Sequence, residues 1–95
     1  MHNGLIEIVK KHLTLLNAVE HVYLFGSVLV SNDIVNDIDV FIVYSEYNDE
    51  MQKQINEFKK CIENESEISV DLTILSFIEE KQVCFLEKIK SLQLK

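Results

Sequence analysis

From Ile38 to Tyr44 the chain is apolar in both alternating phases except at Asp39, and Asp37 stands immediately before the run. A strand exposed on one side alternates apolar with polar residues, so this pattern belongs to a central strand covered on both faces. At 95 residues the chain is long enough for one hydrophobic core and too short for two, and nothing marks an internal boundary: no proline, no repeat and no low-complexity run. One domain spanning residues 1–95 is therefore expected, built around that strand.

The flanking periodicities supply the cover. Leu5, Ile8, Val9, Leu13, Leu16 and Val19 follow a helical stripe opposite Lys10, Lys11, Thr14 and Asn17, which predicts a first amphipathic helix. His21 to Phe25 is a short β-branched and aromatic run stopped by Gly26-Ser27, and residues 27–36, with Ser31-Asn32-Asp33, read as a helical turn and loop. Asn48 is placed to cap a helix whose first turn carries Asp49 and Glu50 and whose stripe is Met51, Ile55, Phe58 and Ile62. Ile68 to Leu75 reads as a further strand. Ser76-Phe77-Ile78-Glu79 has capping-box spacing and predicts a final helix through about Ser91. The order α-β-(turn)-β-α-β-α implies an α/β (α+β) fold, a small mixed sheet of three or more strands against about four helices.

Charge narrows the function. A net charge of −7, with nine lysines and no arginine, argues against direct nucleic-acid binding, which requires a cationic surface. Any phosphate held here must meet lysine, backbone N–H groups or a bound cation rather than a guanidinium fork. No stretch is apolar enough to span a membrane, and the N-terminus lacks the pattern of a secretory leader, so a cytoplasmic protein is expected. Cys61 and Cys84 lie far apart in helical segments and read as reduced core thiols; His2, His12 and His21 are not spaced as metal ligands.

The candidate chemistry rests on acids. Asp37 and Asp39, two residues apart on a strand, project from one face and can converge on one point. Two carboxylates so close repel unless solvated or compensated, and magnesium, with its oxygen preference, is the natural compensating ion. On this pair alone a solvated strand end is as good an account. Asp71 interrupts an apolar strand and shares a face with Ser69 and Thr73, so it can join the pair across neighbouring strands. Gly26 lets backbone approach a ligand closely, and Ser27 offers an N–H and a hydroxyl to a phosphate, with a following helical turn aimed at the same anion.

Leu24-Phe25-Gly26-Ser27, then nine residues, then Asp37-Ile38-Asp39-Val40-Phe41-Ile42-Val43, and later Val70-Asp71-Leu72 together resemble the signature of the minimal nucleotidyltransferases of the polymerase-β-like superfamily. The resemblance runs from about Val22 to Leu75 and implies the nucleotidyltransferase fold. It implies that Gly26 and Ser27 hold the triphosphate, that Asp37 and Asp39 bind two Mg²⁺ ions, and that Asp71 shares a metal and helps activate an acceptor hydroxyl. The implied reaction moves a nucleoside monophosphate, AMP from ATP or another NTP, onto that hydroxyl. Small stand-alone members resemble antitoxins that pair with HEPN-type toxins, which makes a toxin hydroxyl the expected acceptor.

Two departures bear on that reading. Family members often carry an arginine soon after Gly-Ser and a glycine a few residues on, where this chain has Val28-Leu29-Val30-Ser31-Asn32-Asp33. The chain also ends about twenty residues after Asp71, so the acceptor site is expected from a partner, from a second copy in a homodimer, or not at all. The alternative is a catalytically inactive module of the same fold that occludes a protein partner. A third is a homo-oligomer whose acids bind metal structurally.

Overall fold

The computed structural model describes residues 3–30 and 35–95. The expected loop at Ser31-Asn32-Asp33, and His2, lie outside the described residues. Helix α1 (Asn3–Lys11) and a 3₁₀ turn (Leu13–Leu15) lead to strand β1 (His21–Phe25), the short helix α2 (Ser27–Val30) and strand β2 (Asp37–Tyr44). Helix α3 (Asp49–Ser66), strand β3 (Ser69–Ser76), helices α4 (Phe77–Val83) and α5 (Phe85–Lys88), and strand β4 (Ser91–Gln93) follow. The strands form one mixed sheet in the order β3-β2-β1-β4, parallel between β2 and β3 and antiparallel elsewhere. This is the expected α/β (α+β) architecture with one strand more than the minimum.

β2 is central, and its residues Val40 to Val43 are buried in both phases, as the apolar run requires. One face of the sheet, with Val22 and Leu24 on β1, Ile38, Val40 and Ile42 on β2, and Val70 on β3, closes against α1 and α3 in a single cluster. Burying each such side chain is worth ~1.5–3 kcal/mol, so this layer is the principal source of stability. α3 supplies Met51, Ile55, Phe58 and Ile62, all at most 1% exposed. The Asn48 side chain accepts from the Met51 N–H at 2.8 Å, which is the cap that starts this helix. On the opposite face Phe41 is fully buried, stacked on Tyr23 and met edge-on by Phe85, whose ring also meets Phe25.

The structure corrects the sequence reading in three places. The first helix ends at Lys11, and the rest of its stripe is delivered by the tighter turn, where the Leu16 N–H donates to the Leu13 carbonyl at 2.9 Å; Leu16 and Val19 are buried all the same. Ile6, not Leu5 or Ile8, is the buried partner of Val9. The final helix does not run to Ser91. The Ser76–Glu79 capping box is present, but α4 stops at Cys84, which adopts a left-handed conformation (φ +51°). α5 then carries Phe85 onto Phe25 and Phe41, and β4 pairs with β1 through Leu24↔Leu92. Tertiary packing overrides helix propensity here, because the open edge of β1 and the apolar Leu92 and Leu94 offer each other pairing and burial. Cys61 and Cys84 are free, as expected, but only half-buried, so neither is a core thiol.

Candidate active site

The sheet brings the three acids together at one end of one face. Asp37 and Asp39 are alternate residues of β2 and so point the same way. Asp71 stands directly beside Asp39 in the parallel register of β2 with β3. Neighbouring strands lie roughly 4.8 Å apart, and residues in register share a face, so Asp71 joins the pair from the side. On the other side of β2, Asp39 is in register with Phe25, the residue that precedes Gly26 and Ser27. Asp37 and Asp71 are exposed; Asp39, between strands, is half-buried.

The electrostatics follow from this placement. Burial raises the Asp39 carboxyl above its ordinary value, and the charges of Asp71 and then Asp37 raise it further. The three carboxylates thus gather negative charge at one end of the sheet, and Asp39 is the one that feels it. The donor set is all hard oxygen, the chemistry magnesium selects, so these residues fit a divalent ion. Among the described residues no three side chains are already gathered as metal ligands, and no pocket encloses the acids.

Gly26 completes the arrangement. Its φ of +77° favours glycine, and a Cβ built on it would overlap Asp39 Oδ2 and lie 3.2 Å from Asp39 Cγ. The sequence reading placed this glycine against a ligand; in the structure its missing side chain makes room for the Asp39 carboxylate. Ser27 opens α2 and is half-exposed, while Val28 and Leu29 behind it turn into the core. All five residues singled out in the sequence, Gly26, Ser27, Asp37, Asp39 and Asp71, thus fall on two adjacent strands and the turn after a third.

The profile of the family described as "Polymerase beta, Nucleotidyltransferase" matches residues 3–93. The chain belongs to the polymerase β-type nucleotidyltransferase family. No curated protein matches it in sequence. Solved structures carry the same fold at low identity. A chain from the complex of the tri-AMPylated Shewanella oneidensis HEPN toxin with MNT antitoxin superposes with a TM-score of 0.62 at 19% identity, covering 100% of this chain and 72% of that one. A chain from a mutant of the toxin–antitoxin pair MntA-HpeT gives 0.59 at 18% identity, covering 100% and 73%. A candidate nucleotidyltransferase from Sulfolobus solfataricus gives 0.53 at 21% identity, covering 97% and 78%.

Two residues that shape the surroundings of these five were not legible in the sequence. Phe85, which packs on Phe25 and Phe41 on the sheet face that carries Asp39, was read as one position in a long helix. Glu63, on α3, accepts the Val70 N–H at 2.8 Å and fixes the start of β3 one residue before Asp71. Neither carries a local signal, because each acts across the fold.

Proposed function

We propose that this chain transfers AMP from ATP to a hydroxyl of a protein partner of the HEPN toxin type, acting as the antitoxin of such a pair in the cytoplasm. The observation that carries the reading is the in-register pairing of Asp39 with Asp71, with Asp37 on the same face and Gly26 pressed against Asp39. The MNT-type folds add support, since their structures are of toxin–antitoxin complexes, one with an AMPylated toxin.

In this reading Asp37, Asp39 and Asp71 hold the magnesium ions. When bound, these ions neutralise the carboxylates and the phosphates they face, and stabilise the charge that develops on the reacting oxygens. Ser27, through its N–H and hydroxyl, holds the β- and γ-phosphates at the end of β1. Asp71, the more exposed acid on the flanking strand, takes the proton of the acceptor hydroxyl. That oxygen bonds to the α-phosphorus as the bond from the α-phosphorus to the bridging oxygen breaks, and pyrophosphate leaves with the electron pair. Burial and the neighbouring Asp71 and Asp37 make an ionised Asp39 costly, and a bound cation would offset that cost.

A second reading, a partner-binding module without transfer, is favoured by one observation. After Ser27 the side chains of Val28 and Leu29 are buried at 0% and 8% exposure, and the chain has no arginine to grip a triphosphate. The two readings are separated by incubating the chain and a HEPN-type partner with magnesium and ATP labelled at the α- or at the γ-phosphate. Transfer labels the partner from the α-position only and is lost with Asp39→Asn. Stable complex formation with no label from either position would establish the binding module instead.

A further inference from the structure

Two hydrogen bonds reveal which amides of β3 face away from the sheet. The Val70 N–H donates to the Glu63 carboxylate of α3 at 2.8 Å, and the Ser76 N–H donates to the Glu79 carboxylate of α4 at 3.0 Å. Among the described residues β3 is an edge strand, paired only with β2. Backbone groups alternate in direction along a strand, so residues an even number apart present their N–H and C=O groups to the same side. Val70 and Ser76 therefore place Leu72 and Ile74, which lie between them, on the outer edge too. Among the described residues no side chain or loop backbone reaches the Leu72 or Ile74 amide. The ends of the edge are stoppered and its middle is open.

Natural edges are blunted by proline, lysine, a bulge or a covering segment. From Val70 to Ser76 this one has no proline and no lysine, and its register with β2 is unbroken from Asp37↔Ser69 to Tyr44↔Ser76. Its charge is one-signed: Glu63 and Glu79 stand at the two ends and the exposed Asp71 lies within it. A second copy of the chain is a poor occupant. Antiparallel pairing of two β3 strands would set the Glu63 of one copy beside the Glu79 of the other, and parallel pairing would set like against like, in chains that each carry −7. We propose that the outer edge of β3 accepts, by strand addition at Leu72 and Ile74, an extended segment of a protein partner flanked by lysine or arginine. The site needs neither nucleotide nor metal, so it stands or falls apart from the transfer proposed above.

The test uses the full chain and a short peptide of alternating valine and threonine with a lysine at each end, read by amide hydrogen exchange. At about ten times its dissociation constant the peptide should slow exchange at Leu72 and Ile74 about tenfold. The same peptide N-methylated at every internal amide, which blocks both of its edges, should have no effect. A peptide ending in glutamates should bind more weakly, and the double variant Glu63→Gln, Glu79→Gln, which keeps both acceptor oxygens, should narrow that difference. No slowing at Leu72 and Ile74 with the lysine peptide, or equal slowing with the glutamate peptide, overturns the proposal. So does slowing without any peptide that grows with protein concentration, which would make a second copy the occupant.

Discussion

Gly26 and Asp39 touch across the β1–β2 pair: the space a side chain would take at Gly26 is filled by Asp39 Oδ2. The contact joins the Gly26-Ser27 turn to the central acid. Gly26→Ala should therefore have two effects. Forcing a left-handed φ on alanine costs ~1–2 kcal/mol, and at ~4–8 °C per kcal/mol in a domain of this size the melting temperature should fall by roughly 5–15 °C. The carboxylate at the far end of the Asp39 side chain can rotate away, so the fold should survive while Asp39 leaves its place beside Asp71. Thermal melting and magnesium titration check both: a lower Tm, and loss of any stabilisation by magnesium and ATP. A variant that melts lower but responds fully to magnesium would separate the turn from the acids.

Asp39 should also be a residue whose removal strengthens the metal-free protein. Its folded-state carboxyl titrates above its ordinary value, through burial first and then Asp71 and Asp37. For an acid raised in this way the favourable contribution is present below the unfolded-state value and is lost as pH rises through the folded-state value. At neutral pH the ionised Asp39 therefore opposes folding. Asp39→Asn should raise the Tm of the metal-free chain at pH 7 by on the order of a few degrees, a modest effect because solvent screens a half-buried site. The advantage should shrink as pH falls through the carboxylate range and should reverse when magnesium is added, since only the wild type gains from the ion. Melting curves at pH 4 to 7 with and without magnesium test the sign directly.

How far the sequence reaches is decided by how local each signal is. The β2 run needed two covered faces and has them, Asn48 and the Ser76–Glu79 pair cap the helices they were expected to cap, and the i, i+2 spacing of Asp37 and Asp39 put both on one face. Asp71 was placed correctly because strand alternation alone predicts its face. What escaped were features set by distant partners. β4 exists because β1 has a free edge for Ser91–Gln93, and α1 stops at Lys11 because the chain must turn to enter β1. The contact of Gly26 with Asp39 spans thirteen residues of sequence, and no periodicity encodes it.

The break between α4 and α5 gives a prediction of the opposite sign. Cys84 holds φ at +51°, caps α4 by donating its N–H to the Glu80 carbonyl at 2.7 Å, and starts the turn that carries Phe85 to the sheet. A left-handed residue at a helix end is where glycine is favoured, so the β-carbon of Cys84 is a cost the fold carries. Cys84→Gly should raise stability by up to ~1 kcal/mol, offset in part by the greater freedom of glycine in the unfolded chain. Denaturant unfolding would register it as a higher midpoint at unchanged slope. Cys84→Val should move the midpoint down, because a β-branched residue tolerates that conformation least.

Asp71 offers the sharpest separation of transfer from binding. It is exposed, its neighbours Val70 and Leu72 point to the opposite face, and it sits beside Asp39 in the register of β2 with β3. Asp71→Asn preserves size and β3 pairing, so stability should change by no more than ~0.5 kcal/mol. On the proposed chemistry Asp37, Asp39 and Ser27 still hold ATP, and the variant loses the group that takes the acceptor proton. Transfer should fall about 10²–10⁴-fold, the usual worth of a positioned base, and the loss should appear in kcat with KM for ATP little changed. Single-turnover labelling of the partner from ATP labelled at the α-phosphate measures the first quantity, and the ATP-dependent melting shift measures whether binding persists. Equal loss of both would make Asp71 a binding acid rather than a base. Unchanged transfer would remove it from the chemistry and leave Asp37 and Asp39 to carry the site between them.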